Sequence, residues 1–384
     1  MDVSSMDRDD DRYARLRLIP WWDQKRLEAS TVLVAGVGAL GNEIAKNLAL
    51  LGIGTLVIVD LDDVEISNLS RSVLFRASDA GRPKVDAAAG RLADLNPGVR
   101  IVPLKLDVTA ELGLGWFLDA DVAIGALDNR EARMWLNRLA RRAGTPWIDG
   151  GIQEIAGQVR LFLPGDNACY ECGMTDADFA HLNLRYSCPG LKRSQIEEGK
   201  VPTTPTVASV IAGLQVQEAL KILHGKGAAR STAWMFDGTT NHFYASELAV
   251  RDDCLAHETY PDPLRLPLRA SDTTLDGLVK ALPGRMEGTP ALALDRDLVE
   301  ALRCEACGAE EEVLEPASRV PEERLACPSC GEERVPALVH RVEAGTPKAS
   351  RTLAALGVPP YDVVRLTAPG EDRFALLAGD GPGG

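Results

Sequence analysis

Apolar and polar positions fall into short blocks along the first two thirds of the chain, and the blocks change period. Residues 31–35 (TVLVA) are apolar and β-branched with no polar break, the pattern of a strand buried in a parallel sheet. Residues 40–51 space their apolar positions as a helix does, and residues 55–59 (TLVIV) return to a buried strand. After a loop over 72–82, Pro83 and Lys84 open a helix that runs to Leu95. Residues 101–106 (IVPLKL) read as a strand that Pro103 confines to a sheet edge. Residues 121–127 are a further apolar strand, followed by a helix over 129–143. Residues 147–151 (WIDGG) close this half, and residues 157–163 (GQVRLFL) alternate as a half-exposed strand. A helix over 205–224 carries Val207, Val210, Ile211, Leu214, Leu220 and Leu223 on one apolar face, with Gly225 as its stop. Residues 233–237 and 242–248 then read as a hairpin around a turn at 237–241. This order predicts an α/β domain, a mostly parallel sheet continuing into antiparallel strands.

The pattern changes near residue 260. Residues 260–266 (YPDPLRL) hold two prolines, so the expected organisation is a domain over 1–260, a linker over 261–266 and a smaller domain over 267–384. The last segment combines a strand–helix pattern at 266–282, a short apolar run at 291–294 and closing strands at 361–366 and 372–379. It predicts an α+β domain whose element order fits a β-grasp fold.

Charge narrows the partners. Lys and Arg number 42 against 56 Asp and Glu, a formal charge of −14, with no long basic cluster. Nucleic acid as the main partner is disfavoured, since phosphate backbones are bound by basic surface. A basic protein, or small anions held in a local pocket, suits this balance better. Residues 1–16 are acidic and lack the apolar core of a signal peptide. Residues 205–217 contain Pro205, Thr206, Ser209 and Gln215 and read as a buried helix rather than a membrane span. The expected location is the cytoplasm.

The eight cysteines carry more information. Cys169/Cys172, Cys304/Cys307 and Cys327/Cys330 are C-x-x-C pairs, and Cys254 stands three residues before His257. This is metal-ligand spacing, in keeping with a reducing compartment, and not a secreted disulfide framework. Cys304, Cys307, Cys327 and Cys330, with glycine after each pair, have the two-knuckle spacing of a zinc ribbon inserted in the second domain. Cys169, Cys172, Cys254 and His257 make a second tetrahedral set, in which His257 is the least secure ligand. Two zinc sites are expected.

The first strand runs into Gly36-x-Gly38-x-x-Gly41, and Asp60 ends the second strand 19 positions later. This is the Rossmann-like dinucleotide fingerprint: a tight turn, close approach of backbone to phosphate, close helix–strand packing, and an acid for ribose. Phosphate would sit at the helix N-terminus. Taken alone, the fingerprint fits an NAD-dependent dehydrogenase as well as an ATP user. The run beyond the second strand decides between them: Asp60-Leu61-Asp62-Asp63-Val64-Glu65, then Ser67-Asn68-Leu69 and Arg71. An Asn–Arg pair beyond the ribose acid suits a triphosphate with a charged transition state at phosphorus.

Through these residues the sequence resembles the ThiF/MoeB/HesA superfamily of adenylating enzymes, which includes the activating enzymes of ubiquitin-like proteins. The resemblance covers about 1–260. It implies an activating-enzyme fold that binds Mg2+–ATP through Gly36, Gly38, Gly41, Asp60, Asn68, Arg71 and Lys84. It also implies Asp128 as the Mg2+ carboxylate and Arg15, in Arg12-Tyr13-Ala14-Arg15, as an arginine lent to the ATP of a neighbouring subunit, hence a homodimer. Asp128 also suits the N-cap of helix 129–143. In similar enzymes the crossover after the Cys169/Cys172 knuckle carries the cysteine that accepts the activated carboxyl. Cys188 lies there beside Arg185, Lys192 and Arg193, which would favour its thiolate; a lone cysteine is otherwise an inert core residue.

The activity implied is adenylation of the C-terminal glycine of a small ubiquitin-like protein, followed by thioester transfer to Cys188, with Arg15, Arg71 and Lys84 offsetting charge. Alternatives are a sulfur-carrier protein adenylyltransferase of the thiamine or molybdopterin type, a tRNA- or peptide-modifying adenylase, and a non-catalytic scaffold of the same fold. A C-terminal domain that recruits a conjugating enzyme is the expectation by analogy for 267–384. The Gly-Gly terminus, Gly383-Gly384, reads as a loose tail.

Overall fold

The computed structural model describes residues 11–175, 177–179, 202–228 and 230–382. The described residues divide into two compact units: unit 1 takes those within 1–108, 119–173 and 201–257, and unit 2 those within 109–118, 174–200 and 258–384.

Unit 1 begins with a helix α1 (Gln24–Ala29), then β1 (Thr31–Ala35), α2 (Ala39–Leu51), β2 (Thr55–Val59), α3 (Lys84–Leu95) and β3 (Arg100–Leu104). A four-residue helix α4 (Gly115–Leu118) belongs to unit 2. The chain then returns through β4 (Val122–Gly125), α5 (Arg130–Ala143), β5 (Trp147–Gln153), β6 (Ala156–Phe162), α6 (Pro205–Leu223) and the hairpin β7 (Thr232–Asp237) and β8 (His242–Glu247). The sheet runs β3-β2-β1-β4-β5-β6-β7-β8, parallel as far as β5 and antiparallel from there. This is the expected α/β architecture, and Pro103 does sit on an edge strand.

Strand alternation decides what the core contains. Val32, Val34, Leu56, Ile58 and Ile124 point to one face and pack with Ile44 and Leu48 of α2, Val85 and Leu92 of α3 and Ile211 and Val216 of α6. Helix α6 is long and apolar enough to cross a membrane by length and composition, yet it lies in this core and buries Gln215 and Glu218. Its inward face differs from the expected one: Val207, Ile211 and Leu220 are buried with Ala208, Ala212, Val216 and Ala219, while Val210 is exposed. The small alanines let the helix lie close to the sheet, which rotates Val210 outward.

Unit 2 is built on a six-stranded sheet: β9 (Leu264–Leu266), β10 (Ala291–Arg303), β11 (Glu310–Pro316), β12 (Val335–Glu343), β13 (Val363–Ala368) and β14 (Glu371–Leu377), with the helix α7 (Leu275–Ala281) between β9 and β10. The order is β11-β10-β13-β14-β9, with β12 also on β10. Two expectations change. Residues 264–266 are not linker but an edge strand paired in parallel with β14. The run 291–294 is the start of a strand of 13 residues, whose interior Asp295-Arg296-Asp297 breaks the apolar pattern. Arg296 is turned inward there: its guanidinium donates to the carbonyls of Thr109 (3.1 Å) and Leu112 (2.9 Å) and pairs with buried Asp362 (3.5 Å). Asp362 in turn accepts from Leu114 N at 2.7 Å. A segment that connects β3 to β4 is thereby fastened inside unit 2.

Candidate functional site: a glycine cradle at the strand ends

The three glycines differ in what surrounds them. Gly36 has φ of +92°, where only glycine is unstrained, and a Cβ there would lie 2.8 Å from the Ala126 carbonyl carbon. A Cβ on Gly41 would lie 2.8 Å from the Gly36 carbonyl carbon. These two glycines are required by the fold. Gly38 is different: it caps α2 with an ordinary φ of −74°, and a Cβ there would meet nothing within 4 Å. The open space lies at the N-terminus of a helix of 13 residues, where unpaired N–H groups and the helix dipole favour an anion. Phosphate fits this cradle.

Three side chains fix it. Asp60 Oδ2 accepts from Val37 N at 2.7 Å, holding the loop to the end of β2, and Oδ1 accepts from Asp62 N at 2.9 Å. Burial pushes the Asp60 carboxyl above the ordinary carboxylate range, with Lys84 acting in the opposite sense. Lys84, the first residue of α3, puts Nζ 2.6 Å from Asp62 and 4.0 Å from Asp60. Those two carboxylates explain a buried lysine at a helix start, where the dipole opposes it. Asn42, buried in α2, donates to the carbonyls of Val37 (2.7 Å) and Gly38 (3.0 Å) and accepts from Leu74 N (2.8 Å). It joins the glycine loop to the segment after Arg71.

Asn68 lies in a 3-10 turn (Ile66–Ser70), where its Oδ1 accepts from Glu65 N at 2.9 Å; Arg71 donates to Ser67 O at 2.9 Å. Asp128 follows β4, next to the glycine loop through Ala126, whose N donates to Ala35 O. The capping role considered for Asp128 is taken by Asn129, whose side chain accepts from Ala132 N at 2.8 Å. Asn129 reaches the N3 amide and leaves the exposed Asp128 carboxylate to other uses. Arg15 is exposed at the start of the turn Leu16–Leu18. Cys188 lies outside the described residues.

Sequence reasoning missed a charged group within β5 and β6. Asp149 is fully buried and pairs with Arg133 at 3.3 Å and Arg160 at 2.6 Å. Beside it, Gln215 of α6 donates to Gly125 O and Ile148 O and occupies the space a Cβ on Gly150 would need. The only hint was a glutamine within an apolar helix.

Both cysteine groups come together. In unit 1, Sγ of Cys169 lies 3.8 Å from Cys172 and 3.7 Å from Cys254, and His257 Nε2 lies 3.1 Å from Cys172. In unit 2, Cys304–Cys330 is 3.5 Å and Cys307–Cys327 3.7 Å. Zn–S bonds of about 2.3 Å imply tetrahedral edges of about 3.8 Å, so both sets are spaced to hold a zinc ion. Burial, with Cys172 adding to it, pushes the Cys169 thiol up to about 12, so thiolates there require a cation. Burial lowers His257, keeping the imidazole neutral as a ligand must be. Gly308 (φ +74°) and Gly331 (φ +80°) turn each ribbon knuckle so that their N–H groups bond to Cys304 O and Cys327 O.

Comparison with known proteins agrees with this frame. The ThiF family model matches residues 11–256. Ubiquitin-like modifier-activating enzyme 5 of Oryza sativa subsp. japonica is 31% identical over 272 residues, 66% of this chain and 62% of that protein. Sulfur carrier protein ThiS adenylyltransferase of Escherichia coli (strain K12) is 32% identical over 252 residues, 65% of this chain and 95% of that protein. The chain thus spans under two thirds of the rice relative's length and nearly all of the bacterial one. The crystal structure of E. coli MccB with ATP superposes with a TM-score of 0.54 at 22% identity, covering 66% of this chain and 75% of that one, a likeness of fold. With more than half of its length matched by the family model, the chain belongs to the ThiF family.

Proposed function

We propose that this chain adenylates the C-terminal glycine of a small ubiquitin-like or sulfur-carrier protein, using ATP. The observation that carries the reading is the open cradle at Gly38 with Asp60 and Lys84 fixed at its rim. Asp60 takes the ribose hydroxyls, the N–H groups around Gly38 take phosphate, and Lys84 exchanges Asp62 for phosphate oxygens. The substrate carboxylate, entering over Gly150, attacks the α-phosphorus; the acyl–oxygen–phosphorus bond forms as the bond to the bridging oxygen breaks, and pyrophosphate leaves with the electron pair. Asp128 would hold Mg2+, which would supply positive charge beside the leaving phosphates. Lys84, Arg71 and Asn68 offset the charge at phosphorus, each donor being worth about 10²–10³ in rate at such sites.

The reading has two finer forms. In the ubiquitin-like one the Cys188 sulfur, its proton lost to solvent, takes the acyl group as a thioester while AMP leaves with the electron pair of the acyl–oxygen bond, Arg15 completes the site of a second copy, and unit 2 recruits a conjugating enzyme. Unit 2 supports a ubiquitin-fold reading through the parallel pairing of its first and last strands, although one three-residue strand stands where a β-grasp fold has a hairpin. In the sulfur-carrier form, favoured by the near-complete coverage of the E. coli relative, sulfur enters from outside. ATP–pyrophosphate exchange tests the shared step: the wild type should exchange in the presence of a cognate glycine-ended protein, and Lys84→Ala with Asp128→Ala should not. Tight NAD binding without ATP binding would overturn the reading. Mixed Arg15→Ala and Lys84→Ala chains should recover part of the exchange if sites are shared between copies; no recovery after demonstrated subunit exchange refutes the dimer.

A further inference from the structure

One partly buried side chain links the two places where this reaction would be assembled. Arg133 lies one turn into α5, 15% exposed. One of its two terminal nitrogens, Nη2, donates to two carbonyls, Leu127 O at 2.6 Å and Gly150 O at 3.1 Å. Leu127 immediately precedes Asp128, and Gly150 is the strand position over which the substrate glycine would enter. Nε of the same guanidinium lies 3.3 Å from Asp149, which is fully buried and held from the other side by Arg160. An ion pair alone would stabilise Asp149 and nothing more. Here one terminal nitrogen, Nη2, joins the loop after β4 to the strand β5, while Nε of the same rigid plane faces Asp149 and fixes how the group is turned.

We propose that Arg133 is a positioning residue: it clamps the Asp128 loop to the Gly150 strand and so sets where a metal held by Asp128 lies relative to the incoming carboxylate. The inference rests on the adenylation reading. Groups that orient a metal ligand without touching the metal typically change its affinity by about 10–100-fold when altered. Arg133 acts on Asp128 through the backbone at Leu127, not on the nucleotide, so the Gly38 cradle keeps its own affinity for ATP.

Arg160 is the internal control, since it shares Asp149 with Arg133 and touches neither carbonyl. The full chain is titrated with ATP by calorimetry, once with EDTA and once with Mg2+, for wild type, Arg133→Lys, Arg160→Lys and Asp149→Asn. The expected result is that Arg133→Lys binds metal-free ATP as wild type does but loses about tenfold or more of the affinity gained with Mg2+. Arg160→Lys and Asp149→Asn should keep that gain, whatever their melting temperatures. An unchanged gain in Arg133→Lys, or an equal loss in Arg160→Lys, overturns the assignment. Should Arg133→Lys not fold, Asp149→Asn decides alone: it leaves both carbonyl bonds in place, and a tenfold loss there means that the ion pair, not the clamp, sets the loop. A wild type that binds no ATP under either condition refutes the adenylation reading and the role of Arg133 with it; ATP binding in wild type with an unaltered variant refutes only the latter.

Discussion

Gly38 and Gly41 are three residues apart in one motif, yet alanine should affect them in opposite ways. At Gly41 a methyl group would sit 2.8 Å from the Gly36 carbonyl carbon, and the neighbour is backbone that cannot turn aside. Overpacking of this kind costs about 1–3 kcal/mol, and a backbone clash belongs at the upper end. For a unit of this size about 3 kcal/mol lowers the melting temperature by about 6–12 °C. At Gly38 the methyl group points into empty space with φ of −74°. Lost chain entropy in the unfolded state favours alanine by about 0.4–1 kcal/mol, and alanine's poorer capping offsets it by about as much. Stability should therefore stay within about 1 kcal/mol of wild type. The methyl group would instead occupy the approach of phosphate to the backbone, weakening ATP at least about tenfold. At ATP of about 100 times the wild-type dissociation constant, ligand stabilisation would fall from about 2.7 to about 1.4 kcal/mol. Melting curves of wild type, Gly38→Ala and Gly41→Ala, with and without Mg2+–ATP, measure both effects. A Gly38→Ala chain that melts as low as Gly41→Ala, or that ATP stabilises as fully as wild type, would refute the argument that this space receives phosphate.

The same geometry sets other expectations. Elemental analysis should find two zinc ions per chain, with Cys169→Ser and Cys304→Ser each losing a different one; a single zinc in the wild type means that one set does not bind metal. Cys188→Ser should keep pyrophosphate exchange and lose a thiol-labile adduct with the substrate protein, and an adduct formed at the wild-type rate would exclude thioester transfer to Cys188. Asp60 gives a pH dependence of fixed sign. A carboxyl raised by burial contributes its full stability below the unfolded value of about 3.9 and loses it as pH rises through the folded value. Asp60→Asn, which does not titrate, should thus gain stability relative to wild type as pH rises from about 4 towards neutrality; denaturant midpoints showing a flat or opposite difference would contradict the burial argument.

The fingerprint glycines and Asp60 were legible because one strand–turn–helix–strand unit fixes their spacing along the chain, whereas Lys84 was reached only through the family resemblance. The zinc sets were legible for the same reason, each ligand pair being local. Asn42, Arg133, Asp149 and Arg160 were not. In sequence each is a polar residue within a regular element, as a solvated face would show, and its partner is set by tertiary packing: Asn42 reaches Leu74, 32 residues on. Arg160 meets Asp149 because β5 and β6 pair antiparallel with these two in register. The extent of β10 was hidden by Asp295-Arg296-Asp297, whose charges make a strand read as a loop until Arg296 is seen turned inward onto Leu112.

That inward turn has a consequence for how the chain is made. Leu114 is synthesised early, and the carboxylate that receives its amide, Asp362, lies 248 residues later. At about 5–20 residues per second, a ribosome takes about 12–50 s to supply it. Through that interval Leu112, Leu114 and Trp116, all buried in the finished protein, have no completed sheet to enter. The nascent nucleotide half therefore carries an apolar loop awaiting the C-terminus, a site where a chaperone would bind during synthesis. A chain cut at residue 260 would keep that loop permanently exposed, so the N-terminal half should be isolated with the segment 109–118 redesigned, not merely truncated.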